Sequence, residues 1–183
     1  MALTTIPLPY GLRDVKITPY TDAGATTLGT GVDLPYGRTF SFTEAEEFSE
    51  LRGDDKVVTT RGRGPQVEWE LESGGISLEA YAAIAGGTIT SSGTTPNQVK
   101  SLKKKDTDTR PFFKVEGQAI SDSGGDFHVV LYRCRVTGEL AGELSDGEFW
   151  VSSAKGVALG SNVSGSIGDL YAFVQNETTT AIA

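Results

Sequence analysis

Apolar and polar positions alternate with a period of two over much of this chain, the repeat of a strand with one buried face. The clearest stretch is residues 66–72, QVEWELE, where Val67, Trp69 and Leu71 face one way and Glu68, Glu70 and Glu72 the other. Residues 39–51, TFSFTEAEEFSEL, start in the same manner with Phe40 and Phe42 in phase. Glu44 and Glu46 continue that phase and Glu47 falls opposite, so a break in the alternation is expected near Ala45. A bulge, or a strand leaving one sheet to extend elsewhere, produces such a break. Between these acidic strands the sequence predicts a polar loop (LRGDD), a short strand (KVVTT) and a basic Gly/Pro turn (RGRGP).

The rest of the chain adds strands. Residues 13–20 alternate around Val15 and Ile17 and end at Pro19. Residues 26–34 read as a second strand whose glycines point to a bulge or a close backbone approach. Residues 111–120 and 127–137 form a hairpin across SDSGGD, with Gly124 and Gly125 in the turn. An acidic linker, GELAGELSDGE, follows, and then strands at 148–159 and 170–174.

Only residues 77–85 carry a convincing helical pattern. Ser77 is suited to the N-cap, Ile76 can staple against Tyr81, and Gly86-Gly87 supplies the stop. Leu78, Tyr81 and Ile84 form its apolar stripe. Two turns do not persist alone in water, so the stripe must pack on a sheet. Residues 1–12, with Pro7, Pro9 and Gly11, read as an extended arm; 88–109 as one long polar loop; 178–183 as a loose tail. The expectation is a single mainly β domain over 13–177. It takes the form of a sandwich or barrel of eight to ten strands with one short flanking helix.

Composition agrees: 23 glycines and 38% hydrophobic residues in 183 suit a turn-rich β protein. A formal net charge of -8 argues against a coat that neutralises nucleic-acid phosphates and does not exclude a protein that lets nucleic acid pass by, since a like-charged wall repels it. One cysteine, Cys134, and one histidine, His128, exclude an internal disulfide framework and a zinc site of several Cys and His ligands. The N-terminal stretch lacks the basic start and apolar run of a signal peptide, and no segment has the length of a membrane helix. The expectation is a soluble protein made in a cytoplasm, with no membrane partner.

Candidate chemistry reduces to carboxylates. His128 near Ser123 and Asp126 has the residue types of a nucleophilic set, but neighbours on one turn seldom form a triad. Asp54-Asp55, Asp106/Asp108 and Asp122/Asp126 fit turn formation and no calcium loop. Glutamate pairs can cleave glycosides, but rows of glutamate on alternating strands read as a solvated acidic face. No catalytic residue, metal or cofactor is expected. Arg52-Gly53-Asp54 and the Asn162 and Asn176 acceptor motifs need a secreted protein to matter. The basic group Lys100, Lys103, Lys104, Lys105 and Arg110 fits docking onto an acidic face of a neighbouring copy better than nucleic-acid binding.

The run ELRGDDKVVTTRGRGPQVEWELESGGISLEAYAAIAGG, followed by RPFFKVEGQAISDSGGDFHVVLYRCRVTGELAGELSDGEF, resembles the major tail (tail tube) proteins of long-tailed, siphovirus-type bacteriophages, those of actinobacterial phages above all. The likeness spans about residues 40–177. It rests on an acidic strand into LRG-D, an E-W-E strand into GGI-x-L, a helix ending in GG, a GGD hairpin and a DG-E-F strand. It implies a β-sandwich with one flanking helix. Such subunits form hexameric rings stacked into a hollow virion tail tube, assembled in the bacterial cytoplasm around a tape-measure protein and bounded by terminator and distal tail proteins. Double-stranded DNA passes the lumen without specific binding. Under this resemblance Glu44, Glu46, Glu68, Glu70 and Glu72 are lumen candidates. Arg52, Asp54, Asp55, Arg61, Arg63, Lys103, Lys104 and Lys105 are candidates for contacts between subunits or rings. The competing expectation is a carbohydrate- or receptor-binding β-sandwich of a virion.

Overall fold

The computed structural model describes residues 5–182. Strands β1 (Pro9–Pro19), β2 (Val32–Asp33), β3 (Gly37–Gly53) and β4 (Lys56–Gly74) precede the helix α1 (Leu78–Ala85). After it come β5 (Thr88–Ser92), β6 (Val99–Lys103), β7 (Phe113–Ser121), β8 (Asp126–Gly142), β9 (Val151–Ala158) and β10 (Tyr171–Asn176). Eight strands share one antiparallel sheet in the order β2-β1-β7-β8-β9-β4-β3, with β10 joined to β8, while β5 and β6 pair separately. The mainly β class with one short helix is therefore as expected.

β8 holds the sheet together because it changes partners half-way. Val115 pairs with Leu131 and Phe113 with Cys134, so Tyr132 and Arg133 together oppose Lys114 alone. This bulge puts Arg133 at φ 21°, a strained value for an L residue, and bends the strand. Before the bend β8 lies between β7 and β10; from Cys134 onward it pairs with β9. The curl brings β4 over β7, and Trp69 meets the Phe113 ring edge-on at 5.6 Å. Val15, Ile17, Val67, Leu71, Val115, Leu131 and Cys134 complete this buried centre. Gly156 makes the approach possible, since a Cβ there would strike the Arg135 carbonyl and the Trp69 ring.

The helix is capped as its sequence directs. The Ser77 hydroxyl accepts the Ala80 N–H at 3.3 Å, and the Gly86 N–H reaches the Ala82 carbonyl. Its buried face, however, is Ala80, Ala83, Ile84 and Ala85, with Leu78 and Tyr81 only half-buried. Of the expected stripe, Ile84 alone reaches the core, because small alanines let the helix backbone lie close to its neighbours. Ile76 remains 52% exposed, so a staple against Tyr81 leaves half of it in water.

Several boundaries move. RGRGP is no turn: β4 runs unbroken from Lys56 to Gly74 against β3. Pro65 is tolerated because β9 pairs with β4 only from Val67 onward, leaving that stretch with one neighbour. The LRGDD loop shrinks to Asp54-Asp55, both at positive φ (49° and 60°) as a two-residue hairpin turn demands. Near Ala45 the strand leaves the body of the sheet, since β9 pairs with β4 only from Val67, the partner of Glu44. The bulge lies in β4, where Arg63 and Gly64 together oppose Glu47. Residues 26–34 yield only β2 and a single bridge from Leu28 to Tyr20. The 88–109 loop contains the β5–β6 hairpin, and half of the acidic linker extends β8 to Gly142. Part of the N-terminal arm joins β1, where Pro9 and Tyr10 pair with Ser121 and Ile120. The tail is docked: Ile182 is buried, and its carbonyl accepts the Lys16 ammonium. Residues 1–4 of the arm and residue 183 of the tail lie outside the described residues.

Candidate functional site

The registers sort the five lumen candidates onto two faces. Cross-strand partners share a face. Glu68, Glu70 and Glu72 stand opposite Thr43, Ser41 and Thr39 on one side and Val157, Lys155 and Ser153 on the other. Together they form an outward row on the β3–β4–β9 sheet. The Lys155 ammonium meets the Glu70 carboxylate at 2.8 Å, and that hydrogen bond raises the lysine pKa, helped by the charges of Glu70, Glu139 and Glu72. The Thr39 hydroxyl donates to Glu72 at 3.2 Å. Glu44 and Glu46 pair with Val67 and Pro65 and so take the opposite phase. Glu44 accepts the Tyr171 hydroxyl at 2.7 Å, beside a cluster of Phe42, Tyr171 and Phe173. Glu46 lies across Gly62 and accepts the Gly64 N–H.

Beyond Val67, β3 and β4 leave the body as a two-stranded arm whose residues are exposed from 43 to 66, Gly62 excepted. Arg52 is held by Glu50 at 2.9 Å and Arg63 stands 3.6 Å from Glu47. Asp54 and Asp55 form the tip, and Arg61 pairs with Ser49. Phe48, Leu51, Val57 and Val58 also project into water from this arm. The lysines lie elsewhere. Lys103 ends β6 against Thr88, and Lys100 pairs with Glu79 of the helix. The Lys104 ammonium donates to the Ala85 carbonyl, where a helix leaves acceptors unmet. Lys105 is exposed, its N–H held by Asp108.

The densest polar cluster joins the β7–β8 hairpin to the C-terminal segment. Asp126 is fully buried and accepts from Gln118 Nε2, Asn176 Nδ2, the Thr180 N–H and the His128 ring. Burial opposes its charge, but those donors prevail and hold the carboxyl down at about 2. His128 meets Asp126 through Nε2 at 3.1 Å and Glu116 through Nδ1 at 2.9 Å, and Lys114 stands 3.0 Å from Glu116. Burial favours the neutral ring, yet the hydrogen bonds to Glu116 and Asp126 raise its pKa. Both ring nitrogens thus face carboxylates. Ser123 instead donates to the Ile6 carbonyl and contacts Ser121, so the structure does not assemble a Ser123–His128 pair. The arrangement latches strands and tail together.

Sequence reading took His128 as structural but missed this latch. Its signal was present: Asp126 and His128 alternate on one strand, as Glu116 and Gln118 do on the next, and the hairpin register superposes them. Among the described residues no group of three or more His, Cys, Asp and Glu side chains is placed to hold a metal, and no helix is long and apolar enough to cross a membrane. In comparisons with known proteins, no family model and no curated protein matches the chain.

Proposed function

We propose that this chain is the repeating subunit of a hollow virion tube of the phage-tail type, assembled from stacked rings and built to let double-stranded DNA pass. The observation that carries this reading is the row Glu68, Glu70 and Glu72 on the outward face of a sheet whose last strand, β3, has a free edge. A free edge 17 residues long is a standing invitation to pair with another chain, and closing strands between subunits removes it. The same closure rolls the glutamate face into a wall around a pore. Phosphates slide along such a wall, because its glutamates outnumber its cations and leave little from which counterion release could draw affinity. Lys155, tied to Glu70, moderates the wall without reversing its sign.

The arm supports the same reading. Its exposed Phe48, Leu51, Val57 and Val58 are poorly suited to permanent contact with water and well suited to burial against another copy. Tape-measure, terminator and distal tail proteins are the partners such a tube requires. Electron microscopy of the purified chain, fresh and after concentration, tests the proposal. Hollow polymers or rings of uniform diameter are expected; a particle that stays monomeric under every condition overturns it.

A further inference from the structure

Three arginines stand together on a chain of net charge -8, and among the described residues no carboxylate is ion-paired with any of them. Arg110 donates to the Val136 and Gly138 carbonyls, which the β8 irregularity between Val136 and Leu140 has turned outward. Arg135 donates through Nε to the Arg110 carbonyl, and its guanidinium lies 4.9 Å from the Phe112 ring centre. Arg133, carried by the strained bulge, lies 5.7 Å from the same ring, its Nε buried and unpartnered. Arg110 and Arg135, with Tyr20, Thr109 and Phe112, line a recess of about 330 Å³ that also contains Asp22, while Arg133 stands outside its wall. The Asp22 carboxylate is consumed by its own turn, accepting the Thr26 and Thr27 N–H groups and the Thr26 hydroxyl.

The complement lies on the same hairpin. The connection from β8 to β9 carries Glu143, Asp146 and Glu148, together with Leu144 at 85% and Phe149 at 97% exposure. Arg135 sits at the end where Cys134 pairs with Ala158, and the acidic loop begins just past Gly142 and Ser152. Along β9 five residues separate Val157, opposite Arg135, from Ser152, opposite Gly142, roughly 17 Å at the rise of a β-strand. Within one molecule the loop lies beside Glu72 and Ser153, and none of its residues lines the recess.

We propose that the 143–149 loop of one copy docks into the Arg110–Arg135 recess of the next, a head-to-tail contact along the β8–β9 axis. The contact rests on the tube reading and names its axial joint. It is heterologous, so it repeats without closing, as a stacked assembly requires. Phe149 and Leu144 supply apolar anchors, and the carboxylates reach an Arg135 guanidinium placed over Phe112 and an Arg110 guanidinium fixed on the Val136 and Gly138 carbonyls.

A double variant, Phe149→Cys with Ala23→Cys on the recess wall, tests the joint under mild oxidation. Cys134 is fully buried and stays out of the reaction. A ladder of covalent dimers, trimers and longer species is expected, with at most dimers from either single variant. The triple variant Glu143→Lys, Asp146→Lys, Glu148→Lys, checked for folding by circular dichroism, is expected to raise the concentration needed for polymer formation by about tenfold or more. Tubes without a ladder, or triple-variant tubes at the wild-type threshold, overturn the joint and leave the tube reading standing. A ladder from a chain that never forms hollow tubes supports the joint and overturns the tube.

Discussion

His128 is the only histidine, so its titration can be followed without ambiguity. With its folded pKa raised, the protonated ring adds stability in full below about pH 6.5, and that stability is lost as the pH rises through the folded value. Asp126 works in the other direction. Its contribution is present above about pH 3.9 and disappears as the pH falls through about 2. Stability set by this cluster is thus greatest between roughly pH 4 and 6.5. A proton NMR titration is expected to give a midpoint above 6.5 for the single ring, and melting temperature should decline on the alkaline side. His128→Ala leaves two carboxylates facing each other and is expected to cost about 3–5 kcal/mol in chemical denaturation. A loss below 1 kcal/mol would show that the latch is slack. Gly156 is a second sensitive point. Gly156→Ala sets a methyl against the Arg135 carbonyl and the Trp69 ring, and a loss of about 1–3 kcal/mol is expected.

Among elements, the arm and the tail make contrasting predictions. The tip residues Asp54 and Asp55 both sit at positive φ, where glycine is at ease. Asp55→Gly should stabilise the hairpin by about 1 kcal/mol, read as a rise in denaturation midpoint. Deleting residues 177–183 removes Thr180 from Asp126 and uncovers the Ile182 contact, and should cost about 2–3 kcal/mol. A neutral deletion would mean the tail is loose after all. These elements also mark where sequence was legible. Val67, Trp69 and Leu71 announced their strand because a half-buried sheet forces strict alternation, and Ser77 announced the helix through its local hydrogen bond. RGRGP misled because Gly and Pro signal turns only where no neighbouring strand supplies partners; β3 supplies them along the whole arm. The tail misled because its polar residues are satisfied by a buried aspartate 54 positions away, which no local pattern encodes. The glutamate row was readable as a face, whereas its separation from Glu44 and Glu46 follows from the β3–β4 register.

For the whole molecule, the outward row is the quantity to change. Replacing Glu68, Glu70 and Glu72 with Lys alters a solvent-facing row and leaves Val67, Trp69 and Leu71 in place. If the proposed tube is right, folding and assembly survive, whereas DNA delivery by particles built from the variant falls by about tenfold or more, because a basic wall retains phosphates. Unchanged infectivity would remove the row from the pore.

Cys134 offers a different kind of opening. It sits at zero exposure in the centre of the fold, and burial pushes its thiol well above the ordinary range. A thiol reagent in the surrounding solution finds no sulfur until the centre comes apart. The rate at which label accumulates therefore clocks how often a subunit opens. Because there is one thiol per chain, the same clock would run in free subunits and in the proposed polymers, and the ratio of the two rates would measure how firmly assembly locks each copy shut.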